Sequence, residues 1–316
     1  MYRITKILLF LVFASINLHA QTIIPLQRGG GGVRSKKVDD YKQEMRLDER
    51  ERNDSIAYVD HLRRAFNALH ADSLSEAEKL FHQALKLRPD APGNHVIKYN
   101  LGLVDMARGQ NVDAVKTLTE VIKTYPNYFD ARLARAEANL QLGRAQEAVE
   151  DAEQVLDKTH FDGVTPALLE RARFVRAAAR YQLRLFTDAH ADLRTLLADN
   201  PQHVNAQILD ALTLQQLGQP KESLNQLNLI VSVHPDNIDA LSARAAVEAE
   251  LKMYAMVRAD YDSLIRLQPS ESGYYIERAK MLIHLGEKKA ARNDINQAIH
   301  LGVPQGMVQP LIKLAR

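Results

Sequence analysis

The chain of 316 residues contains no cysteine. It therefore cannot form disulfides, a thiolate metal site or a lipid-modified cysteine behind a leader, and packing alone must hold its fold together. Reactive motifs are also lacking. There is no nucleophile elbow, HExxH, SxxK or phosphate-binding loop, and the 11 histidines are scattered along the chain. We therefore expect no catalytic residues, no metal site and no other cofactor, because each of these needs reactive groups at a fixed spacing.

The charge is balanced. Lysine and arginine total 41 against 39 acidic residues, and removal of a leader carrying Arg3 and Lys6 would leave 39 against 39. Nucleic acid is bound by a concentrated basic face that displaces phosphate counterions. Apart from the short run from Arg34 to Lys37, the sequence offers no such face, so we expect no nucleic-acid partner.

The segment 1–20 has the pattern of a secretory signal peptide. Charged Arg3 and Lys6 precede an apolar run from Ile7 to Leu18, and Ala20 stands where cleavage is expected. The alternative is an uncleaved anchor, but the run holds 12 residues, whereas a membrane-spanning helix needs about 20. The prediction is a periplasmic or secreted protein with no transmembrane segment after signal removal.

A small residue recurs through the amphipathic helical pattern at a nearly constant spacing. Its positions are Ala77, Ala114, Ala148, Ala189, Ser223, Val257 and Ala291, and the steps between them are 37, 34, 41, 34, 34 and 34. A period of about 34 residues is typical of stacked helix-turn-helix units, in which each unit buries its apolar face against its neighbours. Such arrays offer a binding surface.

This period divides the chain into four parts. After the signal, residues 21–57 form a flexible glycine-rich tether and a charged helix, 58–303 form the array, and 304–316 form a capping segment. The flanking parts of 37 and 13 residues are shorter than the roughly 40 that an independent domain needs without disulfides or metal. They leave no room for a catalytic domain.

The unit from His95 to Tyr128 resembles the tetratricopeptide repeat family. It has a Leu-Gly pair in the first helix, a turn glycine, spaced small and apolar residues in the second helix, and a closing proline, at Leu101, Gly102, Gly109, Ala114, Leu118 and Pro126. About seven units share the pattern. In three of them a non-glycine residue stands at the turn, namely Asp72, Arg184 and Lys252.

The resemblance implies an all-α, right-handed α-solenoid of about seven repeats. It also implies a non-catalytic scaffold that binds a protein or peptide through a concave groove lined by the first helices. Together with the predicted signal peptide, this makes a protein or peptide of the bacterial cell envelope the expected partner. Transferred to this chain, the prominent groove positions are Tyr99, Leu103, Met106, Glu137, Phe174, Tyr181 and Ile208.

Three alternatives stay open at this point. The aliphatic groove residues could pack between adjacent units, the charged N-terminal helix could fold back over the groove, and exposed tyrosines could stack on the sugar rings of a glycan or cell-wall fragment.

Four arginines in first helices share a spacing to an aspartate in the second helix, which stands at i + 16 relative to the arginine. The pairs are Arg135 with Asp151, Arg176 with Asp192, Arg244 with Asp260, and Arg278 with Asp294. Because an antiparallel hairpin sets such positions side by side, we predict structural ion pairs. As partly exposed pairs, each would contribute between zero and about 1 kcal/mol. The alternative is an arginine row that binds acidic ligands.

Overall fold

The computed structural model describes residues 38–159 and 163–316, and within these ranges it contains fifteen helices and no strand. The predicted signal peptide and the glycine-rich tether lie outside the described residues. In chain order the helices are α1 (Val38–His70), α2 (Leu74–Leu87), α3 (Asn94–Ala107), α4 (Asn111–Thr124), α5 (Phe129–Gln141), α6 (Ala145–Leu156), α7 (Pro166–Gln182), α8 (Phe186–Asp199), α9 (Val204–Gln216), α10 (Pro220–Val233), α11 (Ile238–Glu250), α12 (Tyr254–Leu267), α13 (Ser272–His284), α14 (Lys288–His300) and α15 (Gln305–Leu314).

The helices belong to two compact units. Unit one ends at Arg144 and contains α1–α5, and unit two begins at Ala145 and contains α6–α15. Within each unit consecutive helices pack on each other, and α3 also contacts α5 while α9 also contacts α11. Each unit is thus a stack of helices in sequence order, as the predicted all-α repeat fold requires.

The recurring small residue lies where the helices approach one another. Ala77, Ala114, Ala148, Ala189, Ser223 and Ala291 are fully buried, and Val257 is 1% exposed. Small side chains let helix axes approach to about 8–10 Å. Gly102 shows how tight the approach is, because a Cβ built there would lie 2.8 Å from Cγ of Leu118.

The turns inside the hairpins share a left-handed backbone residue. Glycine takes this conformation at Gly109, Gly143, Gly218 and Gly286, with φ between 73° and 78°. The three non-glycine residues that the repeat pattern places at turns, Asp72, Arg184 and Lys252, adopt it too, with φ of 55°, 62° and 59°. Because a Cβ is crowded in this region, these three turns are strained relative to glycine turns.

The charged segment before the array is part of α1. This helix has 33 residues against 14 in α2, which corresponds to roughly 50 Å against 21 Å. The boundary predicted at 57/58 therefore falls within a continuous helix, and residues 38–52 extend α1 instead of folding back. Neither α1 nor any other helix in the described ranges has both the length and the apolar content needed to cross a membrane.

Candidate functional site

In unit one, the predicted groove residues lie on the first helices α3 and α5. Leu103 is 7% exposed and Met106 1%, and Glu137 is fully buried. Tyr99 keeps a partly exposed side chain, and its ring lies 5.2 Å from that of Tyr128, centroid to centroid. Of the four predicted residues in this unit, Tyr99 is therefore the one a partner could touch directly.

In unit two, the predicted groove residues are buried in α7 and α9. Phe174, Tyr181 and Ile208 are 1%, 8% and 0% exposed. The ring of Phe174 packs 5.2 Å from His203, and that of Tyr181 lies 5.3 Å from Phe186. This burial favours packing between helices for these residues, aromatic ones included. Their role in partner binding stays a prediction.

The same positions are more accessible further along unit two. Ser242, Ala246 and Ala249 on α11 are partly exposed, and so are Ile276, Lys280 and Ile283 on α13. Adding the repeat step of 34 to Gly273, Ile276 and Lys280 gives Met307, Pro310 and Leu314 on α15, all of which are exposed. We call Ile276, Lys280, Ile283, Met307, Pro310 and Leu314 the open row.

Three of the four arginine–aspartate pairs are present within unit two. Arg176 Nε and Nη2 lie 2.9 and 2.6 Å from the Asp192 carboxylate oxygens. Arg278 Nε and Nη2 lie 2.8 and 2.7 Å from those of Asp294. Arg244 binds Asp260 in the same two-pronged way, with Nε 2.9 Å from Oδ2. Arg135 and Asp151 fall in different units, and their pairing stays a prediction.

The arginines also reach backward along the chain, which sequence reasoning missed. Arg278 Nη1 donates to Asp262 at 2.7 Å, Arg244 Nη1 to Asn228 at 3.1 Å, and Arg135 Nη1 to Thr119 at 3.1 Å. Each of these partners stands at i − 16 relative to its arginine. All three partners carry a side-chain oxygen, and its recurrence at i − 16 is the sequence signal that predicts these contacts.

Arg244 and Arg278 therefore act as bridges between successive second helices. Because several of their donors are already used inside the chain, the structural interpretation is favoured over an arginine row for acidic ligands.

The pairs are more buried than a surface ion pair. The side chains of Asp192, Asp260 and Asp294 are 8%, 4% and 8% exposed, and those of their arginines 20% to 21%. Hydrogen bonding to Asp260 raises the pKa of Arg244, and hydrogen bonding to Asp294 raises that of Arg278. Removal of one partner would leave a poorly solvated charge. The value of at most about 1 kcal/mol applies to exposed pairs. Removing one partner of these mostly buried pairs should therefore lower the free energy of unfolding by more than that.

Within residues 38–159 and 163–316, no cluster of three histidine or acidic side chains has a geometry suited to a metal ion. These ranges do present apolar, aromatic and hydrogen-bonding side chains, which are the groups by which proteins recognise other proteins.

Stacked helix pairs with a buried small residue, a left-handed turn residue and a closing proline define a helical repeat protein. Residues 99–161 match the family model of the tetratricopeptide repeat. Over these residues the chain is similar to the tetratricopeptide repeat family, whose members are typically non-catalytic scaffolds for protein interactions.

Solved structures show the same fold. A tetratricopeptide repeat protein from Parabacteroides merdae ATCC 43184 is 21% identical, with a TM-score of 0.65 over 82% of this chain and 98% of that one. The APC/C hetero-tetramer Cut9-Hcn1 gives a TM-score of 0.59 at 11% identity, over 81% of this chain and 55% of the other.

The curated relatives match this chain over only part of their own length. Cellulose synthase operon protein C of Xanthomonas axonopodis pv. citri (strain 306) is 26% identical over 68% of this chain and 14% of its own length. DnaJ homolog subfamily C member 3 of Bos taurus is 24% identical over 66% of this chain and 42% of its own length. The chain thus spans less than half of either relative.

Proposed function

We propose that this chain is an exported, non-catalytic scaffold that binds a protein or peptide of the bacterial cell envelope through the concave face of its first helices. The repeat family supports the class of function, and the signal-like pattern of the segment 1–20 supports export. The open row supports the location of the binding face.

The open row is the observation that carries this proposal. Met307 is 75% exposed and Leu314 59%, and their spacing with Pro310 follows one helix face. Ile276 and Ile283 lie on α13, where Ile276 stands one repeat step before Pro310, and both pack against a core that includes Ala279, Leu282 and Val308. Large apolar side chains that stay accessible on adjacent helices are suited to anchoring a partner.

The chemistry of the row favours an amphipathic partner. Four of its six members are aliphatic or thioether side chains, and Lys280 adds a positive charge that already pairs with Glu277 at 2.9 Å. An amphipathic helix or extended peptide would place apolar anchors on Ile276 and Met307 and leave its polar side in water.

Photo-crosslinking in the native envelope tests the binding face. A photoreactive residue in place of Met307 should capture a defined partner, and the double variant Ile276→Ser with Leu314→Ser should weaken binding of that partner about tenfold. Leu229→Ser provides the matched control, because Leu229 is 69% exposed on the second helix α10. Equal binding by the double variant and the control would exclude the open row.

Fractionation and N-terminal sequencing test export. The mature protein should begin at Gln21 and appear in the periplasm or the medium. A cytoplasmic protein that retains Met1 would contradict this part of the proposal while leaving the binding face open to test.

A further inference from the structure

Unit one contains a surface pocket of about 390 Å³ beside Tyr99. It is formed by the α4–α5 connection together with the first turn of α3, and its lining residues are His95, Thr124, Tyr125, Pro126, Asn127 and Tyr128. Its volume lies within the range of roughly 300–1,000 Å³ that is typical of ligand pockets.

Four rings run in a row along this pocket. Tyr99 lies 5.2 Å from Tyr128, Tyr128 lies 5.5 Å from His95, and His95 lies 4.1 Å from Tyr125, measured between ring centroids. Successive ring planes are inclined by 53°, 81° and 34°. Rings at these distances pack directly on one another, so they form one continuous aromatic surface with inclined planes instead of a flat platform.

The aromatic residues are not needed to make the connection itself. The same helix–proline–helix connections elsewhere begin and end with Asn200 and His203, with His234 and Asn237, and with Gln268 and Glu271. Only the α4–α5 connection among these carries a tyrosine at both places, at 125 and 128. Since the fold does without these rings elsewhere, their presence here calls for another reason.

The lining has aromatic rings and hydrogen-bonding groups but no lysine, arginine or carboxylate. Tyr125 is 38% exposed, and the neighbouring side chain of Asn127 is exposed too. Burial raises the pKa of Tyr128, with Tyr99 and Asp130 contributing, so its hydroxyl stays protonated and can donate. The pocket therefore suits a neutral ligand that offers compact apolar groups and acceptors.

We propose that this pocket binds a proline-rich segment of a partner protein in the polyproline II conformation. Such a segment has three residues per turn and no internal hydrogen bonds, so its carbonyl oxygens stay available to donors such as the Asn127 amide. Its proline rings pack on the exposed surfaces of aromatic rings that line a groove, and its preformed backbone loses little entropy on binding.

A sugar is the less favoured ligand. Stacking on a sugar requires a free ring face, and His95, at 4.1 Å, covers one of the two faces of Tyr125. The many hydroxyls of a sugar are also commonly met by charged side chains, and the lining has no lysine, arginine or carboxylate. Sugar binding is therefore an outcome that the experiment must distinguish.

The test is fluorescence anisotropy of the purified full chain with a labelled oligoproline peptide and a glycine–serine peptide of equal length. Oligoproline should bind saturably, and Tyr125→Ala and His95→Ala should each weaken its binding about tenfold. Tyr254→Ala is the matched control, because Tyr254 stacks on His284 at 4.4 Å in unit two and its loss should leave binding unchanged. Circular dichroism melts of all variants establish that they fold, and Tyr125→Phe should retain most of the affinity because it keeps the ring.

Oligoproline binding that is absent, or that Tyr125→Ala leaves intact, would overturn the inference. Binding of a cello- or chito-oligosaccharide that depends on Tyr125, without oligoproline binding, would overturn it in favour of a sugar site. The inference rests on the proposed function in one respect only, namely that the chain binds a protein partner. A crosslinked partner at Met307 combined with no oligoproline binding would refute the pocket alone.

Discussion

Helices α7 and α9 carry the same repeat positions as α11 and α13, but with side chains of different size. In α7 and α9 these positions hold Phe174, Tyr181 and Ile208, which are buried. In α11 they hold Ser242, Ala246 and Ala249, and the following α13 keeps Ile276 and Ile283 partly exposed. Large side chains cover their neighbours and are covered by them, whereas small ones leave the next helix accessible. One repeat position can therefore be buried in one region and accessible to solvent in another.

The largest expected difference between the two regions is in stability. Phe174→Ala should lower the free energy of unfolding by about 3–5 kcal/mol, because it removes a buried ring and leaves a cavity. Ile276→Ala should lower it by about 1 kcal/mol, because that side chain is already partly in water. Urea denaturation followed by circular dichroism measures both. Similar losses for the two variants would contradict the contrast.

The arginine–aspartate pairs should behave alike in both regions. Asp192→Ala acts on the α7 pair and Asp260→Ala on the α11 pair, and each should destabilise by about 2–3 kcal/mol because a mostly buried guanidinium loses its partner. Glu120→Ala is the control, since its ion pair with Lys98 is exposed, and it should cost about 0.5 kcal/mol or less. Aspartate variants no worse than this control would show that the pairs do not matter for stability.

The residue four positions after the arginine distinguishes the regions electrostatically. It is Arg180 in α7, which donates to Asp192 at 2.7 Å, but Glu248 in α11. Burial, assisted by Asp260 and opposed by Arg244, raises the pKa of Glu248 from 4.5 to about 7. Its Oε2 atom is buried and makes no hydrogen bond within the described part of the chain.

This raised pKa predicts a loss of stability with increasing pH. Between pH 4.5 and 7 the folded chain keeps the Glu248 proton while the unfolded chain releases it, so the stability that is complete below pH 4.5 is lost as pH rises through 7. Relative to the wild-type chain, Glu248→Gln should gain about 3 kcal/mol on going from pH 4 to pH 8. Parallel pH profiles of the two proteins would refute this.

The smallest expected changes in stability come from the turns. Each of the two regions has one turn with a strained non-glycine residue. Arg184 follows α7 with φ of 62° and Lys252 follows α11 with φ of 59°. Lys252→Gly and Arg184→Gly should each raise stability by about 1 kcal/mol, because glycine removes the Cβ crowding. Gly218→Ala should lower it by a similar amount, and thermal melts compare all three. Destabilisation by the glycine substitutions would mean that the side chains make compensating contacts.

Most of the fold could be predicted from spacing. The repeat step identifies the buried small residue of each pair and places Asp72, Arg184 and Lys252 at turns, where their backbones are left-handed. The step also aligns Arg176, Arg244 and Arg278 with their aspartates. These features depend on geometry within one or two neighbouring helices, which a repeat pattern captures.

The candidate site could be predicted only in part. The repeat pattern assigns the same groove position to Ile208 and Ile276, but their exposure depends on the bulk of side chains on adjacent helices. The pattern treats Tyr125 and Tyr128 as ends of a unit, and only three-dimensional packing brings them beside His95 and Tyr99. The spacing within one hairpin predicts the aspartates at i + 16. The partners at i − 16 lie in the preceding repeat, outside that hairpin.

Cysteine accessibility measures the contrast between buried and open groove positions most directly, because the chain has no cysteine of its own. Single variants Ile208→Cys, Phe174→Cys, Ile276→Cys and Met307→Cys would be labelled with a maleimide under native conditions. The thiols at 276 and 307 should react faster than those at 174 and 208 by about two orders of magnitude, since buried positions react only through local opening. Comparable labelling rates at all four positions would contradict the account.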